Sequence, residues 1–201
     1  MCIRDRIKQD VFSQLESLLE GHAILATNTS SIDLNKMGSK LKHPQRLVGM
    51  HFFNPAQVMA LVEIVHSTET DSEVADLVFS LAEEWGKSPV HVCSSPGFIV
   101  NRAARPFYSE ALVILKEGGT DEATCDAIMR DCGGFRMGPF ELMDLIGLDV
   151  HYAVTCKIWE SYQKHPRFTP SILQKELVDS GRFCLLYTSP SPRDATLSRM
   201  P

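Results

Sequence analysis

Apolar residues recur along this chain with two different periods, and the change from one to the other divides it. Over Ile7–Leu19 they fall at helical spacing until Gly21 stops the run; AILAT (residues 23–27) then reads as a short buried strand, and a second helix follows Asn28-Thr29-Ser30-Ser31. RLVGMHFF and ALVEIV are rich in branched and aromatic residues and are separated by Asn54-Pro55, which predicts two strands joined by a turn or short link. Thr70-x-x-Glu73 has the form of a capping box and predicts a helix to about Trp85, closed by Gly86, before one more short strand, PVHVC (residues 89–93). Strands alternating with helices in this way imply an α/β sheet covered on both faces.

From Ser95 onward the strand signals vanish. Pro96-Gly97 opens a long helical pattern through about Glu117, ended by Gly118-Gly119, and Asp121–Cys132 is a second helix, ended by Gly133-Gly134. Pro139 suits the first turn of FELMDLIGL, and a further helix is expected through Tyr152–Tyr162. The pattern therefore predicts an α/β part over residues 7–94 and an all-helical part over residues 95–183.

The two ends read differently. The opening MCIRDR can be encoded by a DNA word whose reverse complement, read one base in, encodes Cys-Leu-Leu-Tyr-Thr-Ser, and Cys184–Ser189 is CLLYTS. Residues 1–6 and 184–201 look like a sequencing-library transposon end and the adaptor beyond it. The expectation is that both are non-native and that residues 7–183 are an internal fragment of a longer gene.

Composition narrows the classes. With 44% apolar and 22% charged residues the chain is an ordinary globular sequence, and no apolar run reaches the roughly 18 to 20 residues that span a bilayer, so no membrane partner is expected. Its 20 Lys and Arg stand against 25 Asp and Glu, a net charge of −5, and setting the ends aside makes it more acidic still, which disfavours nucleic acid as a partner. Of six cysteines, Cys2 and Cys184 belong to the suspect ends, and Cys93, Cys125, Cys132 and Cys156 form no CxxC spacing, which suits a reducing compartment. The seven histidines include no HxxxH or HExxH pair, so no metal site is expected.

The stretch MHFFNPAQVMALVEIV (residues 50–65) places His51 and Glu63 in apolar company, where a charge or an unpaired imidazole costs roughly several kcal/mol unless something binds it. Ligands of open α/β sheets lie beyond the carboxyl ends of the strands. Ser30 follows AILAT, His51 closes LVGM, Glu63 lies within ALVEIV, and Asn101 falls in the first turns of the helix opened by PGFIVNR. A base, an acid to orient it and two hydrogen-bonding groups suit proton abstraction from a hydroxyl. Singly, each also has a plainer role open to it: Ser30, with Asp33 three residues on, as a helix cap; His51 as a hydrogen-bonded strand-end residue; Glu63 as a solvent-facing strand residue; Asn101 as a surface or capping residue.

Order and spacing go further. NTSS, HFFNP, LVEIV and PGFIVNR, with His51 21 residues after Ser30, Glu63 12 after His51 and Asn101 50 after His51, resemble the L-3-hydroxyacyl-CoA dehydrogenase family, and GGFRMGPFELMDLIGLD extends the resemblance into the helical part. The resemblance implies the C-terminal part of a Rossmann-type NAD-binding domain followed by an all-helical dimerisation domain. It implies NAD as cofactor, an acyl-CoA thioester as substrate and a homodimer through the helical domain, while the cysteine usage points to a cytoplasmic enzyme. By the same resemblance His51 is the base that takes the hydroxyl proton, Glu63 holds its imidazole in the working tautomer and stabilises the cation, and Ser30 and Asn101 hydrogen-bond substrate oxygens. Asn28, Lys8 and Asn54, with Ser30, match positions near the cofactor.

One family feature is missing: the chain has no GxGxxG loop to cradle a pyrophosphate. It is expected to precede residue 7 in the parent protein, so the chain as written is expected to be inactive. MGPFELMDLIGLD followed by PSILQKELVDSGRF resembles branches acting on short or dicarboxylic acyl chains, such as 3-hydroxybutyryl-CoA or 3-hydroxyadipyl-CoA. Two other readings stay open: a catalytically silent structural paralogue of the same fold, of the lens lambda-crystallin type, and a helical interaction module that binds no nucleotide.

Overall fold

Four strands, Leu25–Thr27 (β1), Leu47–Phe52 (β2), Leu61–His66 (β3) and Ser88–Cys93 (β4), form one sheet in that order in a computed structural model of the chain, which describes residues 3–29 and 32–185. β1 and β2 run parallel, β3 turns back antiparallel to β2, and β4 is parallel to β3. The link over residues 53–60 holds no helix, and without the dozen or so residues of a crossover two consecutive strands pair antiparallel. The sheet is therefore mixed.

Three helices, Ile3–Leu18 (α1), Leu34–Gly38 (α2) and Ser72–Glu84 (α3), complete this part of the chain. Side chains along β2 and β3 alternate between two cores. Leu47 and Val65 point to the face covered by Leu34 and Met37 of α2, together with Leu25, Val92 and Phe98, and Phe12 of α1 packs against the same cluster. Val48, Met50, Val62 and Ile64 point to the other face, where Val78 and Ala82 of α3 meet them. Both faces are covered, as the alternation predicts.

The helix ends differ in detail from the pattern. α1 starts at Ile3 rather than Ile7, inside the stretch set aside as non-native, because a turn added to an existing helix needs no new nucleus. α2 is capped by Asp33, whose Oδ1 accepts the Asn35 N–H at 3.0 Å. α3 is capped by Asp71, which accepts the Glu73 N–H at 3.0 Å, while the hydroxyl of Thr70 donates instead to the Leu47 carbonyl at 2.8 Å. Gly86 closes α3 at φ +71°, with the Lys87 N–H reaching the Ala82 carbonyl at 3.0 Å and its own N–H reaching Glu83 at 2.8 Å, the double bond of a Schellman end.

The chain divides into two units at Asn101/Arg102. The second is helical: Val100–Lys116 (α4, begun in the first unit), Glu122–Asp131 (α5), Pro139–Ile146 (α6), Leu148–Ser161 (α7) and Ile172–Asp179 (α8). The pattern anticipates the first four and omits α8, which Ser171 opens as N-cap. Tyr108, Leu112, Cys125, Phe140, Met143 and Leu148 form its core. The start of α6 is fixed by the buried carboxylate of Asp126, which accepts the N–H groups of Phe140 and Glu141, both at 2.9 Å. Among the described residues no helix is long and apolar enough to cross a membrane.

Gly49 is where the first core tolerates no side chain: a Cβ there would lie 2.9 Å from Cβ of Val65 and 3.3 Å from a methyl of Leu34. Gly49→Ala is expected to lower stability by about 1–3 kcal/mol through overpacking. Urea denaturation measures it, and an unchanged midpoint would show that α2 does not pack this closely on the sheet.

Candidate active site

The antiparallel turn between β2 and β3 creates the site. In that ladder His51 is the direct partner of Glu63, so their side chains stand together on one face. Nδ1 of His51 lies 2.7 Å from Oε2 of Glu63, with Glu63 fully buried and His51 only 6% exposed. A carboxylate accepts and does not donate, so Nδ1 carries the proton and Nε2 presents a lone pair.

The other oxygen of Glu63 is equally occupied. Oε1 accepts the N–H groups of Ile99 at 2.9 Å and Val100 at 3.0 Å, the entry to α4. A helix N-terminus offers unpaired N–H groups and a partial positive charge, so it is a favourable place for an anion. Burial alone would push the Glu63 carboxyl up, but the hydrogen bond from His51, the two backbone bonds and the charge of His51 outweigh it and hold the group below its ordinary value.

Two rings enclose the imidazole: Phe53, with ring centroids 4.6 Å apart, and Phe98, edge-on at 5.5 Å. Phe98 sits at φ +48°, directly after Gly97 at φ +77°, a conformation that non-glycine residues adopt only where their surroundings fix it. Here the surroundings are the first core, in which Phe98 is buried, and the Phe98 N–H donates to Ser95 at 3.0 Å. The sequence motifs HFFNP and PGFIVNR contain both rings, but nothing in them shows that they wall the histidine.

The remaining expected residues fall as follows. Asn101 is in the first turn of α4, next to Val100, so Glu63 fixes the backbone beside it. Lys8, on α1, donates from Nζ to the Asn28 carbonyl at 2.8 Å, and this pair marks the carboxyl end of β1. Thr27 is in register with Gly49, so Asn28 leaves the sheet beside the end of β2 that carries His51. Asn54 lies exposed two residues beyond β2. Ser30 lies outside the described residues. Glu63, expected within its strand, is near the amino end of β3, and it meets His51 near the carboxyl end of β2 because β3 runs opposite to β2.

The family model described as the 3-hydroxyacyl-CoA dehydrogenase NAD binding domain matches residues 4–95, and that described as the 3-hydroxyacyl-CoA dehydrogenase C-terminal domain matches residues 97–185. A 3-hydroxyadipyl-CoA dehydrogenase of Escherichia coli (strain K12) is 48% identical over 179 residues, covering 89% of this chain and 38% of the relative. A 3-hydroxybutyryl-CoA dehydrogenase of Clostridioides difficile is 39% identical over 176 residues, covering 85% of this chain and 63% of its own length. The crystal structure of (S)-3-hydroxybutyryl-CoA dehydrogenase from Ralstonia eutropha superposes with a TM-score of 0.86 at 35% identity, over 89% of this chain and 63% of that one. The chain thus spans between 38% and 63% of the length of these relatives.

The lowered carboxyl of Glu63 has a pH consequence. Its contribution to stability is whole above the unfolded carboxylate value of about 4.3 and is lost as pH falls through the lower folded value. Glu63→Gln is expected to cost about 1–3 kcal/mol at pH 7 and to lose less than the wild type between pH 5 and pH 3. Urea melts of both across that range test it, and parallel losses would mean that Glu63 is not the linked group.

Proposed function

This chain belongs to the 3-hydroxyacyl-CoA dehydrogenase family, and we propose that the protein oxidises an L-3-hydroxyacyl-CoA to the 3-oxoacyl-CoA with NAD as hydride acceptor. The observation that carries the proposal is the His51–Glu63 pair, a histidine with its Nδ1 proton fixed on a buried carboxylate and its ring packed against two phenylalanines.

Nε2 of His51 takes the proton of the substrate's 3-hydroxyl as the C3 hydride leaves. Glu63 keeps the ring in the tautomer that can accept it and lies 2.7 Å from the imidazolium that forms. Phe53 and Phe98 exclude water from the ring, which strengthens that attraction. Asn101, set by the Glu63-bound start of α4, and Ser30 hydrogen-bond the substrate oxygens. In the reverse direction His51 returns the proton to the 3-oxo group.

NAD, when bound, supplies the acceptor for the hydride. The residues present fit its nicotinamide end: Lys8, half-buried, and Asn28, exposed, put an ammonium and an amide side chain at the carboxyl end of a strand in a parallel pair. Asn54 is a further candidate beside them. The sequence holds no GxGxxG, so a chain of this extent binds NAD weakly and turns over little by itself. The substrate class is a short or dicarboxylic acyl-CoA, supported by the relatives that act on 3-hydroxybutyryl-CoA and 3-hydroxyadipyl-CoA. The protein works in the cytoplasm, as a homodimer built through the helical unit. The structural-paralogue reading is disfavoured by the intact pair, which a protein without catalytic work has no need to bury.

NADH oxidation with acetoacetyl-CoA, in the chain extended to the length of its relatives, tests the proposal. His51→Gln is expected to lower kcat by about 10²–10⁴ with little effect on KM. Near-wild-type turnover in the variant would remove His51 from the mechanism, and comparison of the 3-hydroxybutyryl and 3-hydroxyadipyl thioesters would settle the chain preference.

A further inference from the structure

The link between β2 and β3 carries Phe53, whose ring lies 4.6 Å from that of His51, yet it holds no helix or strand of its own. β2 ends at Phe52 and β3 begins at Leu61, so the strands restrain only the two ends of the link. Inside it, the N–H groups of Val58 and Met59 both donate to the Pro55 carbonyl, each at 3.0 Å, which closes one tight turn. Side-chain packing does not hold that turn in place, because residues 57–60 are exposed, Val58 by 74%. A segment of this kind is among the most mobile parts of a fold unless something outside it fixes the backbone.

Lys87 supplies that restraint. Its Nζ donates to the Ala56 carbonyl at 2.6 Å and to the Met59 carbonyl at 3.0 Å, one on each side of the turn. Neither carbonyl takes a backbone N–H among the described residues. A hydrogen bond from an ammonium is stronger than a neutral one, and two of them from a single atom fix where the turn lies.

Lys87 is itself well anchored. Its N–H donates to the carbonyl of Ala82, a residue fully buried between α3 and the sheet, at 3.0 Å. The next residue, Ser88, opens β4 and donates its N–H to the Ala60 carbonyl at 2.8 Å. The half-buried side chain therefore spans from the end of α3 to a link 28 to 31 residues earlier in the chain. A lysine after a helix C-terminus also suits the helix dipole, but that role needs only nearness to the helix end and not two carbonyls of another segment.

We propose that Lys87 is a positioning residue for His51: it pins the β2–β3 link so that the Phe53 ring stays packed on the imidazole. The kinetic consequence rests on the reading of His51 as the base, and the structural consequence does not.

Lys87→Met keeps the stem and removes the donors, whereas Lys87→Arg keeps donors and charge. The His51 ring is followed by NMR in the full chain, and kinetics in the chain extended to the length of its relatives. In Lys87→Met the carbon-bound ring protons of His51 are expected to shift toward their positions in Phe53→Leu, and the Nδ1 proton to exchange with water about fivefold faster. The kcat for NADH oxidation with acetoacetyl-CoA is expected to fall about tenfold while KM for the thioester changes by less than about twofold. Lys87→Arg is expected to restore the His51 signals and kcat together. A Lys87→Met chain with a lowered Tm but wild-type His51 signals and kcat would overturn the proposal, since Lys87 would then serve only the end of α3. If Lys87→Met does not fold, Lys87→Gln, which keeps an amide donor on a shorter stem, takes its place, and unmoved His51 signals in it would overturn the proposal equally. Should the extended wild-type chain fail to turn over, the functional reading falls and the His51 signals alone decide the positioning role.

Discussion

A fully buried carboxylate must find partners for both oxygens, and in this chain the partners of Glu63 determine much of what surrounds it. One oxygen takes His51, and the other takes the N–H groups of Ile99 and Val100. Removing such an acceptor would leave three donors unpaired in a dry core, a loss of roughly 3–5 kcal/mol by analogy with other broken buried pairs. The register of β2 against β3 follows from the same requirement. A slip of one residue would send His51 to the face covered by α3 and leave the Glu63 carboxylate against carbon. The turn at Gly97 and Phe98 completes the arrangement, bringing two amides to one oxygen while its ring closes on the histidine. Register, turn and imidazole orientation therefore stand or fall together.

The helical unit repeats the solution with a different neighbour. Asp126 caps α6 as Glu63 caps the entry to α4, and the approach is so close that a Cβ on Gly138 would lie 2.2 Å from the Asp126 carboxylate. Burial pushes the Asp126 carboxyl up, the two backbone bonds oppose it, and the carboxylate of Glu141 adds to the upward push, so the balance lies above the ordinary value. Glu63 has the imidazole of His51 beside it instead, and its balance lies below. Each acid thus accepts two backbone N–H groups, Glu63 on one oxygen and Asp126 on both, and they differ in the side chain next to them. Only the one beside a histidine is suited to hold a base through a proton transfer.

Much of the fold was legible in the sequence because local patterns carry it. The strands at Leu47–Phe52 and Leu61–His66, Gly86 as a helix stop and Pro139 as a helix start all lie where side-chain period and backbone preference put them. The residues that cap α2 and α3 were less legible. Thr70 and Glu73 have the spacing of a capping box, yet Asp71 takes the cap because Thr70 is drawn to the carbonyl of Leu47, a contact 23 residues away in sequence. For the site, motif order carried His51 and Glu63, and what stayed hidden was non-local: the direction of β3, the amides of Ile99 and Val100, and the ring of Phe98. His151 and Gln174 gave no signal at all, since a buried histidine bonded to a glutamine 23 residues later resembles two surface residues until α7 and α8 pack.

The central claim is that Glu63 fixes the His51 proton on Nδ1 and leaves Nε2 to act as a base. Two-bond ¹H–¹⁵N NMR of His51 reads this directly, because the two nitrogens of a neutral imidazole differ strongly in shift according to which one carries hydrogen. The account predicts a protonated, solvent-protected Nδ1 with a low-field proton, an unprotonated Nε2, and loss of that low-field proton in Glu63→Gln. A neutral ring protonated on Nε2 would contradict it, because His51 would then offer no lone pair to a hydroxyl and the pair with Glu63 would serve structure alone.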